Sequence, residues 1–307
     1  MFFLVSEPQF EKPIVVLDEF DTIKDQSERN KFAALLKQLG DQSVNLKFIF
    51  TGIGNSLDDL LGAHQSAFRQ LETIELPRLG WEARREIVTN AADEFGVSVN
   101  TDVNWRIAIV SDGFPYYVHL ILEKMLWEAF TEDNIVTELG WKHFHLGLRA
   151  AIQSINMELK RPYNQAVIHR DPQYENVVWS TADGEDLYRS LKDMYGAYRM
   201  VMQKRSLHEQ ILSYTKFNEH IRKLKSKNFG EMLQQITGRT GWYMYKEKML
   251  RGYVRMQAEI NGIELSGEKE APRQKMHIPG NARTGSYGTS IPKGVNLARK
   301  YNKDDAE

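Results

Sequence analysis

The residues Pro13 to Asp21 (PIVVLDEFD) are the part of this sequence best suited to chemistry. An apolar run ends in two acids, Asp18 and Glu19, and a buried strand of that make delivers its last side chains at the edge of its sheet. Asp18 would hold a magnesium ion through its waters, and Glu19 would polarise a water for attack on a phosphate. An apolar run ending in Asp-Glu also closes many buried parallel strands, so a purely structural strand end stands beside the catalytic reading. The loop that grips nucleotide phosphates, GxxxxGK[ST], has no room before Pro13 and occurs nowhere else in the 307 residues.

Elements that could position these acids follow directly. A second apolar run, Leu46 to Gly52, lies about thirty residues on, and the stretch between carries Phe32, Leu35, Leu36 and Leu39 at helical spacing. Strand, helix, strand is the repeating unit of a doubly wound parallel sheet. The segment Glu72 to Leu79 alternates polar and apolar residues and meets Pro77, which predicts one further strand. With its partners limited to these, the 14–17 strand is expected to leave one edge unpaired.

At this point the residues resemble the AAA+/STAND class of P-loop ATPases, particularly its origin-recognition-like, archaeal-type branch. The acidic strand end is similar to that family's Walker B motif. Thr51-Gly52-Ile53-Gly54-Asn55-Ser56 sits where its first sensor follows the next strand. The resemblance implies that Asn55, or else Thr51, bonds the terminal phosphate or the attacking water; a Gly-rich turn is the plainer alternative. Arg69 matches the arginine that reaches a neighbouring subunit's nucleotide, where a planar cation stabilises charge on the transferred phosphate; otherwise it is a solvated helix-end arginine. Gly113 and Pro115 match a Gly-x-Pro turn on the adenine side of a small helical lid. The second-sensor arginine of origin-recognition ATPases is replaced by Tyr116 and Tyr117, leaving His119 as a weak substitute or a core histidine. The cofactors implied are ATP and Mg2+, provided a phosphate loop is supplied.

Beyond these motifs the pattern is largely helical: 81–96, 104–111, 114–130 and 141–157 read as lid helices, and Lys160-Arg161-Pro162-Tyr163 as a domain junction. Helices over 174–182, 187–202, 207–211 and 215–225 follow, then a hairpin, 231–236 and 242–246, around Thr237-Gly238-Arg239-Thr240-Gly241. Helix plus basic-tipped hairpin resembles a winged helix. The architecture expected is therefore α/β, the C-terminal part of a P-loop ATPase core (1–80), a helical lid (81–160), a winged-helix domain (161–265) and a disordered basic tail (266–307).

Charge supports a division of labour. Net charge is −1, yet residues 1–198 hold 19 Lys and Arg against 30 Asp and Glu, while 199–256 hold 13 against 4. A basic rear on an acidic front fits duplex DNA, with Lys216, Arg222, Lys223 and Arg239 as phosphate contacts; a basic protein-docking face is the alternative. The absence of cysteine excludes disulfides, thiolate zinc sites and thiol catalysis. No stretch is long enough to span a membrane, and Met1 to Val5 is too short for a signal peptide, so the reading is a cytoplasmic chain. Two functional classes remain open. One is an ATP-dependent, DNA-associated switch whose phosphate loop was lost by truncation, misassigned start or gene splitting. The other is a non-catalytic adaptor that docks on a partner ATPase through its lid and winged helix and lends Arg69 to the partner's nucleotide; either class admits a homo-oligomer.

Overall fold

A computed structural model describes residues 2–5, 13–23, 25–52, 71, 72, 74, 76–205 and 210–265. The expected basic tail, 266–307, lies outside them. The chain divides into two compact units, Met1–Pro77 and Arg78–Glu307.

In the first unit, β1 (Phe2–Val5), β2 (Ile14–Leu17) and β3 (Lys47–Phe50) form a sheet in that order. β2 and β3 run parallel, pairing Ile14 with Lys47 and Leu17 with Phe50, and α1 (Gln26–Asp41) makes the crossover. Asp25 starts α1 by accepting a hydrogen bond from the Ser27 amide at 2.8 Å. The expected open edge of β2 is corrected: β1 pairs with it antiparallel, Phe2 opposite Leu17 and Val5 opposite Ile14. The small core holds Leu17, Phe20, Ala33 and Leu36, with Phe20 set edge-on against Phe32 at 5.2 Å and Phe50 at 4.9 Å. The expected strand over 72–79 is also corrected. Its described residues carry no strand pairing, and Ile74 and Leu76 are 79% and 87% exposed. Alternation alone does not make a strand where no neighbour offers a ladder.

The second unit is mostly helical. α2 (Trp81–Glu94), α3 (Thr101–Val110), α4 (Pro115–Phe130) and α5 (Trp141–Ser154) come first, with a short parallel pair, β4 (Ser98–Val99) and β5 (Glu138–Leu139), joining their ends. α6 (Met157–Val167) follows. The predicted helix over 141–157 thus breaks at Ile155, where Asn156 caps α6 through the Glu158 amide at 2.9 Å. The residues read as a junction, Lys160 to Tyr163, lie inside α6.

The remaining order is α7 (Gln173–Ala182), β6 (Arg189–Ser190), α8 (Leu191–Lys204), α9 (Tyr214–Lys223), β7 (Leu233–Gln235), β8 (Trp242–Tyr245) and α10 (Leu250–Ile260). The strands form an antiparallel sheet ordered β6-β8-β7, and α7 packs against α8, α9 and α10. Of the expected 207–211 helix, 207–209 lie outside the described residues and Gln210 and Ile211 are irregular. One continuous core runs from Val88 to Leu265 through this unit. Gly252 is required where α10 crosses α4, since a Cβ there would stand 2.5 Å from the Tyr117 ring. Among the described residues no helix is long and apolar enough to cross a membrane.

Candidate functional site

The acidic strand end comes out of the first unit as a small built constellation. Backbone bonds from Thr51 N to Leu17 O (3.0 Å) and from Phe20 N to Thr51 O (2.8 Å) stitch the C-terminal ends of β2 and β3 together. That brings the Thr51 hydroxyl onto Asp18 Oδ1, where it donates a short hydrogen bond, and the Glu19 amide donates to the same oxygen at 2.9 Å. The Thr51 hydroxyl and then the Glu19 amide hold the Asp18 carboxyl below the usual carboxylate range. Asp18 and Glu19 are both exposed. Glu19 sits at φ 54°, ψ 41°, a left-handed conformation that an L side chain adopts at a cost, turning the chain sharply as it leaves the sheet. Sequence reasoning placed Thr51 second to Asn55; Thr51 is the residue brought to Asp18. Asn55 and Arg69 lie outside the described residues.

Gly113 and Pro115 belong to the second unit, in the turn between α3 and α4. Asp112 and Gly113 both have positive φ, 53° and 79°, and a Cβ on Gly113 would meet Arg84 Nη2 at 2.8 Å and Arg78 Cβ at 2.9 Å. Pro115 occupies the first position of α4, where its fixed φ suits the helix and its missing N–H is not needed. His119, weighed as a core residue, is solvent-exposed on the outer face of α4.

What the turn is built around was not foreseen. Asp112 is 1% exposed and meets three guanidinium groups: Arg78 Nη1 at 2.7 Å, Arg251 Nε at 3.5 Å and Arg255 Nη2 at 3.5 Å. The same arginines reach backbone carbonyls. Arg78 donates to Asp112 O (3.0 Å) and Glu185 O (2.7 Å), Arg251 to Asp186 O (2.7 Å) and Gly184 O, and Arg255 to Ala182 O (2.9 Å), Ile109 O (2.9 Å) and Gly184 O. Burial, then the neighbouring Arg255, pulls the Arg251 guanidinium down to about 9, while Asp112 acts in the opposite direction. A sequence signal existed: Arg251 and Arg255 stand four apart among Tyr253, Val254 and Met256, on the buried side of α10.

The basic residues assigned to DNA are all exposed. α9 turns Phe217 and Ile221 inward and carries Lys216, Arg222 and Lys223 on its solvent side, with Glu219 among them. Arg239 stands at the tip of the β7–β8 hairpin, its guanidinium carbon 5.7 Å from the centre of the Trp242 ring. The basic excess over 199–256 is smaller at the surface than in the count, because Arg251 and Arg255 are buried. Among the described residues no group of three or more His, Asp and Glu side chains is arranged to hold a metal ion.

No family model and no curated protein sequence matches the chain. Solved structures to which it is similar include Cdc6p from Pyrobaculum aerophilum, at 13% identity and TM-score 0.36 over 80% of this chain and 66% of that one. Another is the Aeropyrum pernix Orc1 protein in complex with DNA, at 16% identity and TM-score 0.35 over 81% of this chain and 65% of that one. The chain spans about two thirds of the length of each.

Two outcomes test this geometry. Replacing Thr51 with Val removes the leading bond to Asp18, so the Asp18 carboxyl titrates at higher pH, back towards an ordinary carboxylate, in an NMR titration; an unchanged midpoint would mean that the contact is not formed in solution. A depressed carboxylate contributes stability above its unfolded pKa that is lost as pH falls through the folded one, and T51V narrows that acid window. Replacing Asp112 with Asn leaves buried guanidinium groups without their counter-charge and should cost about 3 kcal/mol in urea unfolding; a loss within about 0.5 kcal/mol would show that the carbonyls alone hold the arginines.

Proposed function

We propose that this chain is an origin-recognition-like ATP-binding protein of the AAA+/STAND kind, coupling nucleotide state to a winged-helix module that associates with duplex DNA. The observation that carries the reading is the Asp18–Thr51 contact across the ends of adjacent parallel strands. An acid and a hydroxyl meeting there are what magnesium-bound water and a terminal phosphate require. Asp18 fits water-mediated magnesium; Glu19 beside it is the base, and Asn55 and Arg69 are the further residues proposed from resemblance. The fit is partial, since the 307 residues contain no GxxxxGK[ST] to grip the phosphates. Gly113 and Pro115 are proposed as the lid's contribution to the adenine side.

Within the second unit, residues 81–160 serve as lid and 161–265 as winged helix in this proposal. The order helix, strand, helix, helix, hairpin, with the first strand paired to the last, supports the second assignment. In that arrangement α9 is the helix offered to the major groove and the 236–241 turn the wing set against the backbone. Lys216, Arg222, Lys223 and Arg239 would neutralise phosphates, giving affinity with little base preference.

A second reading, a non-catalytic adaptor on a partner ATPase, draws on the outer face of α4. Tyr116, Trp127 and Phe130 are 45%, 64% and 79% exposed and share that face at helical spacing.

Because magnesium without a held phosphate has nothing to activate, the 307 residues alone should hydrolyse ATP negligibly. Micromolar ATP affinity by calorimetry, with turnover abolished in Glu19→Gln, would overturn this. On the DNA side, fluorescence anisotropy on mixed-sequence duplex at two salt concentrations should show steeply salt-dependent binding. Alanine at Lys216, Arg222, Lys223 and Arg239 together should weaken it evenly across sequences and flatten the salt slope by roughly one unit per lost contact. No binding at low salt would leave the adaptor reading.

A further inference from the structure

Residue 170 lies outside the charge-dense segment, in the part of the sequence where acids outnumber bases. It closes the turn between α6 and α7. There its guanidinium carbon stands 4.2 Å over the Phe229 ring, its Nη2 donates to Asn228 O at 2.8 Å, and its Nε reaches Gln165 O at 3.4 Å. Phe229 lies 4.9 Å from Tyr174, which is 5% exposed and has Lys223 Nζ 6.0 Å from its ring centre and the His220 ring at 4.4 Å. The two cations therefore bracket one pair of aromatic rings, and Lys227 is exposed beside them at the start of the turn that carries Phe229.

We infer that Arg170, held by the Phe229 stack at the C-terminal end of α9, is a further phosphate contact of the nucleic-acid face, together with Lys223 and Lys227. The inference rests on the proposed association with duplex DNA and names a part of that surface which charge counting assigns to the acidic front.

Three features argue for it. A guanidinium clamped by a ring and two carbonyls has lost its rotamer freedom already, so little more is lost when it meets a phosphate. Of its five N–H groups, the two hydrogen bonds take two, and three remain to donate. The ring-by-ring distances put Arg170 and Lys223 no more than about 15 Å apart, comparable with the width of a major groove. Of the acids nearby, Glu175 pairs with Arg205 at 2.6 Å and Glu231 with Lys246 at 2.7 Å, while exposed Asp171, next to Arg170 in the chain, accepts from the neutral Gln173 amide at 2.9 Å and has no ion-pair partner among the described residues. Asp171 and, on the solvent side of α9, Glu219 are acids that oppose the cluster.

The test is anisotropy with the full chain and mixed-sequence duplex at two salt concentrations, on proteins whose thermal unfolding is cooperative. Arg170→Gln should weaken binding evenly across sequences and reduce the salt slope by about one unit. Phe229→Leu, which keeps the charge and removes the stack, should weaken binding with the slope retained. Arg170→Lys should likewise keep the slope, and should the glutamine variant fail to fold, Arg170→Met, which also removes the charge, should show the same loss of about one unit. Wild-type binding that R170Q leaves unchanged in affinity and slope overturns this contact while the DNA reading stands. Absence of wild-type binding at low salt overturns both.

Discussion

Burying a carboxylate is expensive unless hydrogen bonds and opposite charge compensate, and the second unit is organised around one that is buried almost completely. Asp112 sits in a turn whose own backbone is unusual, two consecutive residues at positive φ, and no local element would hold it there. Its compensation comes from far along the chain: Arg78 before α2, and Arg251 and Arg255 on α10. Three guanidinium groups around one carboxylate would repel one another if Asp112 were their only partner. The carbonyls of Ile109, Ala182, Gly184, Glu185 and Asp186 accept further hydrogen bonds from these arginines, so the α3–α4 turn, the loop after α7 and α10 are tied into one network. A network of this kind contributes little net stability compared with a well-packed apolar core, but it accepts only one register of its parts.

That constraint explains why the helices read as a lid and those read as a winged helix share one core. α10 leaves the hairpin and returns across both groups: Tyr117 on α4 donates its hydroxyl to Met249 O at 2.8 Å, Gly252 lets the two helices touch, and Arg106 on α3 grips Glu259 with both arms of its guanidinium. Deep burial pushes the Tyr117 hydroxyl's pKa well above the usual tyrosine range, so it remains a donor at any physiological pH. A change in position of the Ser111–Gly113 turn therefore cannot be local. It must pull on α10, and through α10 on the Gly184–Asp186 loop that leads into β6.

Much of this architecture was legible in the residues because it follows from local chemistry. The β2-α1-β3 unit was visible in its periodicity, α4 in its amphipathic pattern over 114–130, and the hairpin in Thr237 to Gly241 between two apolar runs. The failures have physical reasons. The alternation over 72–79 matched a strand without a ladder to join, and Phe2 to Val5 was too short to weigh until Val15 and Val16 gave it a partner. Pro162 looked like a boundary, yet α6 continues through it to Val167: the proline sits inside the helix and forgoes the one amide bond that position would have made to Glu158 O. The Asp18–Glu19 pair was visible because its residues are adjacent, whereas the cluster at Asp112 was not, because Arg251 and Arg255 lie more than a hundred residues along the chain and even Arg78 lies ahead of α2.

Buried arginines also change what the charge count means. Thirteen bases against four acids over 199–256 reads as a strongly cationic surface, but Arg251 and Arg255 spend their charge inside, Arg205 pairs with Glu175 and Lys246 with Glu231. What remains facing solvent is narrower: Arg199 and Lys204 on α8, Lys227, and the cations assigned to DNA, on the outer arc of α9 and at the Arg239 tip. Long-range attraction to a polyanion scales with exposed charge, not with sequence charge, so a nucleic-acid reading of this module has to rest on where those few cations stand. They stand on the helix and the turn that flank one three-stranded sheet, held in place from behind by Phe217, Ile221 and Tyr243. The interior arginines fix the frame, and the exposed ones are thereby free to act at fixed spacing.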